Sequence, residues 1–315
     1  MAEIITMGEA IVEIMRDGPG CPLGRPGVFK GPYPSGAPAI FIDTVARLGH
    51  SAAIISGVGE DDFGDMLVRR LAGDGVDVSM ILRNGRVSTG CAFVTYFPDG
   101  GRKFIFHIGN TPAVEAPVPD AGRLDGCRFF HVMGCSVMAE TGFGRRIAET
   151  ARLAVSKGAS VSFDPNVRPE LMKDPGCGAL IEEIMSVTNV FLPGKGELEM
   201  LSGIPGLEEG VAEMFRRYPV MDVIAVKDGS HGSAAFTRDS SCMFGTYEVR
   251  AVDATGAGDS FDAAFVCGLA EGKPLEECLK LASAAGALNA AAFGPMEGAI
   301  SPENICGIMR NGKVI

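Results

Sequence analysis

Asp259 stands where a carboxylate and a row of main-chain amides could work on one phosphoryl group. The run V-D-A-T-G-A-G-D-S-F-D-A-A-F-V-C-G-L (252–269) puts Gly256 and Gly258 in a turn that enters a small-residue, apolar segment, expected to be helical from Asp259. Glycine takes φ values other residues resist and lets a ligand approach the backbone. The first turn of a helix has unpaired N–H groups and the positive end of the macrodipole, so it favours an anion, most often phosphate. Two readings of Asp259 follow. It is a side-chain N-cap, or it is a general base that takes a proton from a hydroxyl while the Gly256, Ala257 and Gly258 amides hold an incoming phosphoryl group. One residue can do both. The spacing matches neither G-x-x-x-x-G-K-[ST] nor an early-strand G-x-G-x-x-G.

Other residues that follow predicted strands form a compatible set: Glu13, Gly36, Asp164, Asn166, Arg168, Glu197, Lys227, Gly229 and Gly232. Asp164-Pro165-Asn166-Val167-Arg168 reads either as a capped turn or as a polar cluster for sugar hydroxyls, with Arg168 reaching a transferring phosphate. Glu197, after Pro193-Gly194-Lys195-Gly196, is a helix-dipole partner or a carboxylate that holds Mg²⁺ through water. Lys227 to Gly232 is a plain hairpin or a glycine-containing turn that offers amides to a nucleotide. His50, His107, His131 and His231 show no metal spacing.

The elements needed to position these residues alternate. Strand Glu3–Met7 precedes a half-exposed strand Ile11–Met15, and Gly18–Pro34 is rich in Gly and Pro and reads as loop. A helix opens at Ser35-Gly36-Ala37-Pro38 and closes at Gly49, followed by strand Ala52–Ser56 and helix Phe63–Ala72. Gly90–Phe97 and Lys103–Ile108, joined by Pro98-Asp99-Gly100-Gly101, predict a hairpin flap with Ile11–Met15 as a partner strand. Beyond it come strand Phe129–Met133, helix Glu140–Lys157, strand Ala159–Phe163, strand Asn189–Leu192, helix Glu197–Ser202 and strand Val223–Lys227. The hairpin Asp228–Thr237 and helices Asp259–Ala270 and Pro274–Ala292 complete the series. This predicts an α/β fold with a mostly parallel sheet and ligands at the strands' carboxyl ends. No linker splits residues 1–315.

Composition narrows the function classes. The chain has 315 residues, 46% of them apolar and 21% charged, with a formal net charge of −11. That charge leaves no general basic field for nucleic acid or an anionic membrane. Nine cysteines without a C-x-x-C pair read as reduced thiols in a cytoplasmic protein. Neither a signal peptide nor a membrane-length apolar run is expected.

Together the blocks S-G-A-P-A-I-F-I-D-T-V-A-R-L-G (35–49), G-V-G-E-D-D-F-G (57–64), F-D-P-N-V-R (163–168), L-P-G-K-G-E-L (192–198), V-K-D-G-S-H-G (226–232) and D-A-T-G-A-G-D-S-F (253–261) resemble the ribokinase-like (PfkB) carbohydrate kinases over nearly the whole chain. The resemblance implies a three-layer α/β/α kinase domain with a small β-sheet lid from about 10–34 and 85–117. It implies ATP, Mg²⁺ and a small sugar as ligands, and a homodimer through the lid. It makes Asp259 the base and the Gly256–Gly258 amides the anion hole. Glu13, Gly36, Ala37, Ile40, His107, Asp164 and Arg168 would meet the sugar. Lys227, Gly229, Gly232, Ser283 and Gly294 would line the ATP site. Glu197 would organise Mg²⁺, and the loops at Asp253 to Thr255 and after Gly294 match those that hold a monovalent cation such as K⁺ in many members.

Three departures from the family pattern stand out. Ser35 and Ile40 replace a glycine and a sugar-binding asparagine, Glu13 replaces a sugar-binding aspartate, and Gly194 replaces the asparagine of Asn-x-x-Glu. The first two count against ribose; the third bears on the metal site. Kinases of 2-keto-3-deoxygluconate place Tyr and Arg on the lid, where Ile105 and His107 are expected here. Losing an arginine partner for a desolvated carboxylate costs roughly 2–3 kcal/mol, which favours a neutral monosaccharide. The P-S-G-A-P-A-I-F-I-D and G-E-A-I-V-E-I-M runs resemble ketohexose kinases of the tagatose and fructose type. The rivals are a sugar-acid kinase in which Arg168 grips the carboxylate, a ribokinase, and a non-catalytic nucleotide- or sugar-binding regulator.

Overall fold

The computed structural model describes residues 2–97, 101–168, 171 and 176–315. Its strands are β1 (Ile4–Met7), β2 (Ile11–Arg16), β3 (Phe29–Ser35), β4 (Ala52–Gly59), β5 (Val76–Asn84), β6 (Cys91–Tyr96) and β7 (Arg102–His107), then β8 (Phe129–Met133), β9 (Ser160–Asp164), β10 (Thr188–Phe191), β11 (Val223–Lys227), β12 (Ser233–Phe236) and β13 (Ser241–Phe244). Its helices are α1 (Ala37–Arg47), α2 (Asp62–Gly73), α3 (Gly134–Ala139), α4 (Thr141–Ser156), α5 (Cys177–Met185), α6 (Lys195–Ser202), α7 (Leu207–Arg217), α8 (Ala257–Ala270), α9 (Leu275–Ala290) and α10 (Pro302–Asn311).

Nine strands form one sheet in the order β13-β12-β11-β10-β9-β8-β1-β4-β5. Neighbours from β5 to β11 run parallel, and β12 and β13 turn back antiparallel. A parallel sheet is covered on both faces, so alternate residues of each strand feed two cores. Ile5, Met7 and Ile55 pack with Ile147 of α4, Ile184 of α5 and Met214 of α7. Ile4 and Ile54 pack with Phe41 of α1, Leu71 of α2, Phe265 of α8 and Leu279 of α9. This is the expected α/β/α layering. The strand order reverses at β1, with β4 and β5 on one side and β8 to β11 on the other. A crevice at the carboxyl ends is the consequence of such a reversal.

A second sheet has the order β3-β2-β6-β7, in which β2 and β6 pair in parallel. Ile11–Met15 therefore does join the hairpin. The expected loop at Gly18–Pro34 is corrected over its second half, because Phe29–Ser35 is strand β3. Its glycine and prolines gave a loop signal, yet β3 is an edge strand with a ladder on one side only, where a missing N–H costs little. Strand β5 and helices α5, α7 and α10 were not among the sequence expectations. Of the expected turn at 98–101, Pro98, Asp99 and Gly100 lie outside the described residues. All nine cysteines are free thiols, and among the described residues no helix is long and apolar enough to cross a membrane.

Candidate active site

Helix α8 begins two residues earlier than its sequence implies. Gly256 is its N-cap at φ 80°, and Asp259 lies in the first turn at the third helical position. The N-cap reading of Asp259 is thereby corrected: the cap is a glycine and makes no side-chain bond. A Cβ on Gly256 would run into the Pro295 carbonyl, whereas one on Gly258 would meet nothing within 4 Å. The side of Gly258 that would carry a side chain thus faces open space. Asp259 is 8% exposed, and its Oδ1 accepts a 3.1 Å bond from Asn166 Nδ2. Burial first, then the Asp164 charge, pushes its pKa up to about 7 against the pull of Arg168, Lys227 and Arg102.

Around Asp259 lies a cavity of about 200 Å³ at the strand-order reversal. The main-sheet wall carries Asp164, Asn166, Arg168, Glu197 and Lys227, with Gly36, Ala37 and Ile40 at the start of α1. Gly36 is needed there: at φ 104°, it has the Glu9 carbonyl 2.5 Å from where a Cβ would sit. Lys227 turns inward rather than toward solvent. Its Nζ is 3.0 Å from Asp164 and 2.7 Å from Asp262. Burial opposes the ammonium charge, but these two carboxylates hold its pKa well above the usual lysine range. The same lysine keeps Asp164 ionised despite burial. These bonds engage the Lys227 side chain, whereas the expectation for the Lys227–Gly232 turn concerned its main-chain amides.

Glu197 accepts from the Gly194 and Val167 amides, each at 2.7 Å. It is therefore a helix-start partner that also lines the cavity. Burial and the nearby Asp164 raise its pKa. Among the described residues no cluster of three His, Cys, Asp or Glu forms a ready metal cage.

The opposite wall comes from the small sheet. Ile11, Glu13, Arg102, Phe104, Phe106 and Ile108 line the cavity. Side chains alternate along β7, so Ile105 and His107 point to the other face, and neither lines the cavity. The expected sugar contact of His107 is thus corrected by a register of one residue, which turned the wrong face inward. Glu13 is 3% exposed; burial and the Asp253 charge raise its pKa to about 8, with Arg102 opposing. Glu9, which the sequence reading passed over, also lines the cavity, buried on the main-sheet side and held by Ser136 and Cys135. Its position just after β1 was the available signal, because residues at strand ends line such crevices.

A second, mainly apolar cavity of about 310 Å³ lies on the far side of α8, bounded by Gly229, Gly232, Tyr247, Phe261, Ser283 and Ala287 among others. The two cavities share Lys227, Ala254 and Gly258. Gly294, expected at the nucleotide, lines neither. At φ 114° it lies against the Tyr33 ring, and its amide donates to Asp253 Oδ2 at 3.2 Å.

The profile of the pfkB family carbohydrate kinases matches residues 3–302. The chain belongs to that family. It is 32% identical to fructokinase-1 of Oryza sativa subsp. japonica over 307 residues, covering 92% of each chain. It is 31% identical to the fructokinase of Salmonella typhimurium, covering 94% of this chain and 95% of that one. Its fold superimposes with a TM-score of 0.92 and 36% identity on the apo form of a protein from E. coli described as Ribokinase II, over 98% of this chain and 99% of the other. The same E. coli protein has been solved with ATP and Mg²⁺, at a TM-score of 0.91. As a PfkB protein the chain is a carbohydrate kinase, a phosphotransferase with a ribokinase-like fold.

The loop that precedes α8 in this PfkB kinase is held by bonds within the protein. Asp253 Oδ1 accepts from the amide and hydroxyl of Thr255, at 3.0 and 2.8 Å. Oδ2 accepts from Gly294 N and Tyr96 Oη, each at 3.2 Å. The Thr255 carbonyl takes a 2.8 Å bond from Asn289 Nδ2. A carboxylate offers about four acceptor sites, and all four here have protein donors. The Asp253 side chain is thus fully engaged within the protein, and the Thr255 carbonyl keeps one lone pair free of a protein donor.

Proposed function

We propose that the chain is an ATP- and Mg²⁺-dependent ketohexose kinase that phosphorylates a primary hydroxyl of fructose or tagatose. The observation that carries this reading is the meeting of two cavities at Gly258, with Asp259 on the polar side and an apolar pocket on the other. Asp259 takes the proton as the hydroxyl oxygen attacks the γ-phosphorus. The bond to the bridging oxygen breaks and ADP leaves. The Gly256–Gly258 amides hold charge on the transferred group, where aligned donors are worth most. Glu197 would reach Mg²⁺ through water, since that ion keeps most of its hydration shell. The metal, when bound, neutralises phosphate charge.

A neutral sugar suits a cavity lined by Glu9, Glu13, Asp164 and Asp259, which offers many acceptors for hydroxyl protons. Arg102 and Arg168 both line the same space, and this favours a second reading, a sugar-acid kinase. Coupled assays with ATP against fructose, tagatose, ribose and 2-keto-3-deoxygluconate decide between them. The highest kcat/KM is expected with a ketohexose, and a preference of tenfold or more for the sugar acid sinks the first reading. Failure of every sugar while ATP still binds would leave a regulator.

The outer face of the small sheet supports a homodimer through the lid. Ile105 is 46% exposed and Phe29 37% exposed, and Phe93 stacks edge-on to both Phe29 and His107. The nine free thiols suit a cytoplasmic enzyme. The fully engaged Asp253 side chain supports turnover without K⁺.

A further inference from the structure

The small sheet reaches the catalytic loop at the turn end of its hairpin. Tyr96 and Arg102 face each other across β6 and β7 as the last pair before the turn. Tyr96 Oη is 3.2 Å from Asp253 Oδ2, and Arg102 Nη1 is 3.1 Å from Thr255 Oγ1. Both acceptors sit in a buried loop, with Asp253 4% and Thr255 6% exposed. Thr255 directly precedes the Gly256 cap of α8. We propose that Tyr96 and Arg102 form a clasp closing the small sheet onto this loop, and that Arg102 is a positioning residue that readies Asp259 when the cavity is shut. This inference rests on the reading of Asp259 as the base.

The charges around Asp259 give the clasp its consequence. Asp164 of β9 and Glu13 of β2 face it and disfavour its ionised form. Arg168 from the segment after β9, Lys227 of β11 and Arg102 of β7 favour that form. Cys135 of α3 is a further neighbour, held as a neutral thiol by burial, and Asn166 donates a hydrogen bond. Of the three cations, Arg168 and Lys227 follow strands of the main sheet, while Arg102 is carried by the small one. An open lid removes one positive charge from the base; a closed lid restores it. The base is then most fully ionised when the acceptor is enclosed, which favours transfer to sugar over transfer to water.

The test compares R102Q, R102K and Y96F in the full-length enzyme, measuring kcat and KM for the best sugar from pH 5.5 to 9.5. R102Q is expected to move the acid limb of kcat/KM about one pH unit higher, which is about a tenfold loss below the limb and much less above it. R102K, which keeps the charge, is expected to restore the limb. Y96F, which loses only a clasp bond, is expected to raise KM without moving the limb. A loss equal at every pH with an unmoved limb in R102Q, or a limb that R102K leaves displaced, overturns the proposal. Melting curves taken alongside show whether each variant is folded, and R102K carries the decision if R102Q is not. Wild-type turnover by D259N would instead remove the base itself, a separate failure.

Discussion

The acceptor cavity has two walls built on different physical terms. On the main-sheet side, Asp164, Lys227 and Asp262 form a buried charged triad at the ends of β9 and β11 and the start of α8, fixed on both faces by packed helices. On the lid side, Phe104, Phe106 and Arg102 stand on a four-stranded sheet whose other face leaves Phe29 and Ile105 partly exposed. The first wall holds charges by pairing them within a rigid core. The second contributes apolar surface, the buried Glu13 carboxyl and one cation beside a two-bond clasp. In the proposed reaction the base stands on the rigid wall and the small sheet covers the acceptor, because a base must be held to within fractions of an ångström while a cover must open.

Changes to the rigid wall test that division hardest. D259N is expected to lower kcat about 10³-fold, the scale of a lost general base, with the Kd for ATP changed less than about threefold by calorimetry. K227M leaves Asp164 and Asp262 buried without their cation. Urea unfolding is expected to register a loss of about 3 kcal/mol; a neutral result would mean the triad is not held as described.

On the lid wall, F104A is expected to raise the sugar KM about tenfold with kcat within about twofold, as for lost apolar contact. A larger fall in kcat than in affinity would break the division between the walls.

The wild-type pH profile sharpens it. Because Asp259 must be ionised and burial raises its pKa from 3.8 to about 7, kcat/KM is expected to rise as pH passes that value. The same shift has a stability sign. The native carboxyl keeps a proton that the unfolded chain has already lost, so its contribution falls as pH rises from about 4 to 7 and stays unfavourable above. D259N, free of that cost, is expected to melt higher than wild type at pH 8 and nearly equal to it at pH 4. The smallest expected effect is that of K⁺. Replacing tetramethylammonium chloride by KCl at constant ionic strength is expected to leave both Tm and rate unchanged, and a clear rise in Tm would mean that the Asp253 loop does hold an ion.

The rigid wall was largely legible in the residue order. Gly256, Gly258 and Asp259 are local in sequence, and the strand-end rule found Asp164, Arg168 and Glu197. The lid was not. Its cavity face depends on a period of two, so an error of one residue exchanged Phe104 and Phe106 for Ile105 and His107. Strand β3 was hidden by Gly31, Pro32 and Pro34, which only an edge position tolerates. Glu9 was passed over because one buried glutamate after a strand looks like any other until Ser136, far along the chain, is seen to hold it.

From its residues alone this chain determined a parallel α/β kinase fold and an acid beside a cradle of amides, because both are set by hydrophobic periodicity and by short-range backbone rules. Only the tertiary structure decided where the charges go. The Lys227 side chain pairs with two aspartates 63 and 35 residues away, and Arg102 reaches a loop 153 residues on. Such pairings depend on which groups share a space closed to water, where an unpaired charge costs most. Nothing in the local spacing encodes that.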